Sequence, residues 1–126
     1  MSKDIEQYND NGQKHGYWEE YWSNGRLESK GHFVNGKLDG LWKTFWSNGK
    51  ISINSNHLNG ELHGYWETYF TNGQLDSKGN YVNGKQHGLW MDYNENGGVL
   101  FEGFYEMGKK VDYEVLISSP EMFPIY

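Results

Sequence analysis

The chain reads as an all-β protein: a single-layer, twisted antiparallel meander of about four 24-residue hairpin repeats, followed by a C-terminal capping strand and tail. Three observations predict it. Asn-Gly occurs eight times, at Asn11-Gly12, Asn24-Gly25, Asn35-Gly36, Asn48-Gly49, Asn59-Gly60, Asn72-Gly73, Asn83-Gly84 and Asn96-Gly97, with steps that alternate between 13 and 11 residues. This dipeptide is the strongest short-range hairpin signal, because both central positions of a type I′ turn need φ > 0. Sixteen of the 17 glycines fall into four columns of that period, and only Gly98 lies off it. Tryptophan recurs at Trp18, Trp42, Trp66 and Trp90, with an aromatic three residues later at Tyr21, Phe45, Tyr69 and Tyr93. No gap is needed anywhere, the mark of an array in which each unit covers its neighbour.

Taken in order, residues 1–10 form a polar N-terminal segment expected to fray. Residues 11–106 are four hairpin repeats (11–34, 35–58, 59–82, 83–106), and 107–126 are a degenerate fifth repeat and cap. In that last part Val111, Tyr113, Val115 and Ile117 alternate as a strand, and Ser118-Ser119-Pro120 turns the chain. Met122, Phe123, Ile125 and Tyr126 then either fold back over an apolar face or dock on a partner. Open sheet ends expose unpaired backbone, so edge-to-edge pairing of two chains stays open.

A two-residue turn at Asn24-Gly25 makes the numbers of opposed residues sum to 49: Trp22 with Leu27, Glu20 with Ser29, Glu19 with Lys30, Trp18 with Gly31. Opposite charges then face each other at Glu19–Lys30 and, two units on, Glu67–Lys78. Gly31, Gly79 and Gly103 fall opposite Trp18, Trp66 and Trp90, where an indole can lie over bare backbone. One face carries Trp18, Trp22, Leu27, Phe33 and their equivalents, and reads as structural. The other carries Tyr17, Tyr21, Glu19, Glu28 and Lys30. The second unit has Ser55 and His57 where others have Gly and an aromatic, and a local irregularity is expected there.

Composition narrows the function. Apolar content is only 36%, but 17% is aromatic, so Trp, Tyr and Phe supply much of the stabilisation. There is no cysteine, hence no disulfide, thiol nucleophile or thiolate metal site. No signal peptide or bilayer-length apolar run is visible, which makes a cytoplasmic location the expectation. The formal net charge of −6 argues against nucleic acid and against strong binding to anionic membranes, and favours a basic protein partner.

No catalytic constellation stands out. His15, His63 and His87 share a column, but successive units lie two strands apart, roughly 9.5 Å, whereas zinc ligands sit about 2 Å from the metal. They read as turn residues, so neither a metal nor a cofactor is expected. Glu19, Glu20, Glu67 and Asp92 show no sign of the cleft that paired-carboxylate chemistry needs. What remains is the second face. Tyr17, Tyr21, Leu41, Phe45, Tyr65, Tyr69, Leu89 and Tyr93 form two stripes, interleaved with Glu19, Lys43 and Glu67. Each stripe reads either as cross-strand packing or, taken together, as a protein interface. The candidate binding residues are Tyr17, Glu19, Tyr21, Phe45, Tyr65, Glu67, Tyr69 and Tyr93. The candidate structural ones are Trp18, Trp42, Trp66, Trp90, Gly31, Gly79 and Gly103.

The unit N-G-x-x-x-G-x-W-x-x-Y-x-x-N-G-x-L-x-x-x-G-x-Y resembles the MORN-repeat family, in its longer bacterial variant, from residue 11 to about 113. The resemblance implies an elongated twisted sheet of hairpins, an accessory scaffold role and no catalytic residues. Free-standing bacterial relatives often carry an antitoxin label that rests on genomic neighbourhood. The expected function is a non-catalytic protein-binding module, an antitoxin or immunity-type neutraliser of a basic partner. The alternatives are a choline- or glycan-type ligand module built on aromatic hairpins, and a membrane-associated scaffold.

Overall fold

A computed structural model describes residues 3–112, and the tail beyond, with the capping strand and fold-back expected there, lies outside the described residues. Nine strands follow one another in a single sheet whose spatial order is the chain order: β1 (Gly16–Tyr21), β2 (Leu27–Val34), β3 (Lys37–Phe45), β4 (Ile51–Leu58), β5 (Glu61–Tyr69), β6 (Leu75–Val82), β7 (Lys85–Tyr93), β8 (Val99–Glu106) and β9 (Lys109–Val111). Every neighbouring pair is antiparallel. The fold is the predicted single-layer meander.

The eight Asn-Gly pairs make two kinds of turn. At Asn35, Asn59 and Asn83 the asparagine and the following glycine both take positive φ, and two-residue turns join Val34 to Lys37, Leu58 to Glu61 and Val82 to Lys85. These are type I′ turns. Met107-Gly108 repeats the geometry with φ of 46° at a methionine. Bonds to the previous repeat hold it there: Met107 N–H donates to His87 Nδ1 (3.2 Å) and Gly108 N–H to the Gln86 carbonyl (2.8 Å).

At Asn24, Asn48, Asn72 and Asn96 only the glycine has positive φ. There Gly25 N–H bonds to the Trp22 carbonyl and Trp22 N–H to the Arg26 carbonyl, which is a longer loop closed by a glycine bulge. Asn11-Gly12 follows this second pattern through Asn9 and Gln13. The expected two-residue turn at Asn24-Gly25 is therefore corrected.

The correction moves residues between faces. The sum-to-49 register holds from Gly16–Phe33 to Glu20–Ser29, but the next pair is Tyr21–Leu27, not Trp22–Leu27. The same shift recurs at Phe45–Ile51, Tyr69–Leu75 and Tyr93–Val99. Directly opposed residues share a face, so Leu27 lies with Tyr21 and not with the tryptophans. The bulge residue Glu28 turns the other way and lines the tryptophan face together with Glu20 and Ser29. Ser52, one unit on, confirms the bulge: its Oγ is 2.6 Å from Thr44 Oγ1.

Trp18 (2% exposed) and Trp90 (4%) are the buried hydrophobic residues of the described chain. An aromatic spine runs through them: Tyr8–Trp18–Phe33–Trp42 on one side of the second unit, and Trp66–Tyr81–Trp90–Tyr105 on the other, with centroids 5.1–6.4 Å apart. Gly31 does oppose Trp18, but the ring that covers it belongs to the following repeat. A Cβ on Gly31 would lie 2.4 Å from Trp42 Cε3, and one on Gly79 2.2 Å from Trp90 Cδ2; at Gly103 the obstacle is Phe101 Cζ at 2.5 Å. Gly31 and Gly79 are thus inter-repeat contacts, whereas Gly103 meets a ring of its own strand. Gly79→Ala is expected to cost about 1–3 kcal/mol by overpacking, read as a lower urea midpoint at unchanged slope.

Ser55 and His57 leave the backbone of the second unit regular: β4 pairs with both neighbours, and its register shift at Ser55/His57 has a counterpart at Gly31/Phe33. The irregularity lies in the side chains. Ser55, 3% exposed, places its Oγ 2.9 Å from His57 Nε2, while His57 Nδ1 and Asn54 Oδ1 are buried without a hydrogen-bond partner among the described residues.

The N-terminal segment is not frayed within the described residues. Ile5 and Glu19 exchange backbone bonds (2.8 and 3.0 Å), Gln7 carbonyl accepts from His15 N–H and Trp18 Nε1, and Asp4 Oδ1 accepts from Tyr21 N–H. This strap lies along the β1 edge, which a sheet otherwise leaves open to unwanted pairing.

Candidate functional site

On the tyrosine face, β1 places Tyr17, Glu19 and Tyr21 in alternation, so all three side chains meet. Tyr17 Oη donates to Glu19 Oε2 (2.5 Å) and Tyr21 Oη to Glu19 Oε1 (2.6 Å). Four strands on, Tyr65 and Tyr69 grip Glu67 in the same way, at 2.9 and 2.8 Å. Between and beyond these clamps the same positions hold Leu41-Lys43-Phe45 and Leu89-Met91-Tyr93, with Tyr93 Oη 3.4 Å from Met91 Sδ. The Tyr–Glu–Tyr clamp therefore recurs at every second repeat. All eight predicted binding residues lie on this face: six form the two clamps around Glu19 and Glu67, and Phe45 and Tyr93 stand apart on β3 and β7.

The central positions form a continuous cross-strand row: Glu19, Lys30, Lys43, Asn54, Glu67, Lys78, Met91, Glu102. Glu19 opposes Lys30 and Glu67 opposes Lys78 as predicted, yet the carboxylate oxygens are held by tyrosine hydroxyls. The Tyr17 and Tyr21 hydrogen bonds, with a smaller contribution from Lys30, hold Glu19 below the usual carboxylate range. Burial and the Glu19 bond push Tyr17 up to about 12, and burial and the Glu67 bond do the same for Tyr65 and Tyr69. A phenol whose pKa is raised on folding stabilises the fold fully below the unfolded value of 10.0, and that stability is lost as pH climbs towards 12. Glu67→Gln is expected to bring the Tyr65 and Tyr69 phenolates in at lower pH, as seen in an ultraviolet titration.

The sequence reading missed a second feature, an open trough of about 590 Å³ on the tryptophan face. Its walls include Trp22, Trp42 and Trp46, its floor Ser29, Thr44, Ser52 and Thr68, and its acidic groups Glu20, Glu28 and Asp76. Trp22 Nε1 donates to the Phe45 carbonyl (3.1 Å) and Trp46 Nε1 to the Tyr69 carbonyl (3.2 Å), so each indole reaches across to the next hairpin. Recurrence of Trp22 at Trp46 was visible as a signal, but the bulge that brings Glu28 and Asp76 round to join them was not. The histidine column is structural: His15 and His63 Nδ1 accept the N–H of Asn35 (3.1 Å) and Asn83 (3.2 Å) in the next I′ turn.

The family model for the MORN repeat variant matches residues 14–35, 38–59, 62–83 and 86–107. The chain belongs to the MORN-repeat family. Each match covers one hairpin, β1–β2, β3–β4, β5–β6 or β7–β8, and ends on the first central residue of an I′ turn. No curated protein matches the chain. MORN repeats serve in general as non-catalytic modules that bind proteins or membranes.

Proposed function

We propose that this MORN-repeat protein is a cytoplasmic protein-binding module, of the antitoxin or immunity type, that neutralises a basic partner through its tyrosine face. The observation that carries the reading is a pre-organised apolar patch. Leu41 (45% exposed), Tyr65 (40%) and Leu89 (41%) stand out from that face on alternate strands. Exposed apolar surface gathered on one face, rich in tyrosine, is how interfaces differ from ordinary surface. The Tyr–Glu–Tyr clamps hold their rings in place before binding, which lowers the ordering cost of association. The net charge of −6 favours a basic partner and fast, salt-sensitive association.

The test is an affinity capture from native lysate at low and high salt, read by mass spectrometry, with a Leu41→Ser/Tyr65→Ser/Leu89→Ser variant alongside. A stoichiometric basic protein retained at low salt by the wild type and lost by the variant is the expected result. Equal capture by the folded variant would overturn the assignment to this face. The small-ligand alternative draws on the Trp22–Trp46 trough, and tryptophan fluorescence titrated with choline and cell-wall fragments would expose it. A membrane-scaffold role finds less support, because the three lysines of the central row share it with Glu19, Glu67 and Glu102.

A further inference from the structure

The trough on the tryptophan face has a chemistry of its own. Glu20 and Glu28 stand at its β1–β2 end and Asp76 at its β6 end, and no lysine or arginine lines it. The bases of the adjoining turns are engaged elsewhere: Arg26 Nη1 donates to the Ser47 carbonyl (3.3 Å) and Lys50 Nζ to the Asn72 carbonyl (3.1 Å). At the β1 end the negative charge deepens, since carboxylate oxygens of Asp4, Glu6 and Glu20 lie within 4.8 Å of one another. Three of the four floor hydroxyls are bonded already, through Thr44–Ser52 and Thr68–Ser77. Recognition therefore falls to the carboxylates and the indole walls, and both select cations. A guanidinium stacks on indole and pairs with carboxylate at once, whereas an anion is repelled.

The spacing adds a length. Glu28 on β2 and Asp76 on β6 are four strands apart, about 19 Å at the usual strand separation. An extended peptide advances about 3.3 Å per residue, so about six residues cover that span.

We propose that the trough docks an extended basic segment of a partner protein, about six residues long and lying across the strands. One cationic side chain sits at Glu20 and Glu28 and a second at Asp76, and the chain between them runs past Trp42 and Trp46. The site is separate from the tyrosine-face patch, because Leu41, Tyr65 and Leu89 do not line it.

The probe is a capped Arg-Gly-Ser-Ser-Gly-Arg peptide, titrated by calorimetry and tryptophan fluorescence at low and high salt. Its controls are N-acetyl-argininamide, the same peptide with Glu for Arg, and calcium chloride. The basic peptide is expected to quench the tryptophans and to bind at least about tenfold tighter than argininamide, because its second end binds intramolecularly. Its affinity should weaken with salt, and fall about tenfold or more in Glu28→Gln/Asp76→Asn, two near-isosteric changes. Tyr65→Ser should leave it unchanged, which separates this site from the patch proposed above. Four results would overturn the proposal: hexapeptide affinity equal to that of argininamide, equal binding of the acidic peptide, unchanged affinity in the folded double variant, or displacement of the peptide by calcium at low millimolar concentration. The last would assign the carboxylates to a metal.

Discussion

Trp90→Ala is expected to lower stability by about 3–5 kcal/mol, the range for deleting a buried aromatic. The ring is 4% exposed and meets Trp66 at 5.2 Å, Tyr81 at 5.1 Å and Tyr105 at 6.4 Å. It lies on Gly79 and donates from Nε1 to the Asn80 carbonyl at 3.0 Å. One side chain therefore joins β6, β7 and β8, and removing it opens a cavity between two repeats. Urea unfolding measures the loss as a lowered midpoint. Trp66→Ala should cost less, because Trp66 is only half-buried. Tyr69→Ala should cost less again, since its ring opposes Leu75 on the tyrosine face and its hydroxyl bond to Glu67 is partly exposed. Its effect should appear in partner binding. If Tyr69→Ala unfolds the protein and Trp90→Ala leaves it intact, the two faces have exchanged roles.

The opposite sign is expected for Ser55→Gly/His57→Tyr, which restores at the second unit what the third unit carries at Gly79 and Tyr81. The double change removes a buried hydroxyl and a buried Nδ1 that has no partner, a defect worth roughly 1–3 kcal/mol. It also lets the Trp66 ring settle over bare backbone and joins the two halves of the aromatic spine. A net gain of about 1–2 kcal/mol is expected, in line with other consensus substitutions. A pH series gives an independent reading. Burial lowers the His57 pKa below its ordinary 6.5, so the fold holds this imidazole neutral. Below pH 6.5 the unfolded chain takes up the proton first, and wild-type stability falls as pH drops from there towards the folded value. The double variant should lose that component of acid sensitivity while keeping the rest. Destabilisation by the double change would mean that the Ser55–His57 pair supports the fold.

The tyrosine face was legible because period-two alternation fixes which residues meet. Tyr17, Glu19 and Tyr21 had to share a side, and Glu19 does oppose Lys30 because the bulge at Glu28 offsets the longer turn. The use made of those carboxylates was not legible. An ion pair and a tyrosine clamp need the same residues at the same spacing, and only side-chain placement separates them. The trough was hidden for a different reason. The longer turn shifts the pairing by one residue and the bulge shifts it back, so Leu27 went to one face and Glu28 to the other while the residues beyond kept theirs. Asn-Gly signals a tight turn without saying whether one or both residues take positive φ. The N-terminal strap was invisible because it is irregular: its bonds run through Gln7 carbonyl and the Asp4 carboxylate, which carry no periodic signal.

By itself, then, the sequence determined the repeat, the all-β meander, the family, and the separation of a tryptophan face from a tyrosine face. Period and alternation are local properties, and each unit states them afresh. Only the tertiary structure decided which ring covers which glycine, which turns are type I′, and where the acids gather. Those outcomes depend on contacts between one repeat and the next. Trp42 covers Gly31, Trp22 reaches the Phe45 carbonyl, and Asn35 N–H finds His15. Such contacts are set by the packing of neighbouring hairpins, which no single unit encodes.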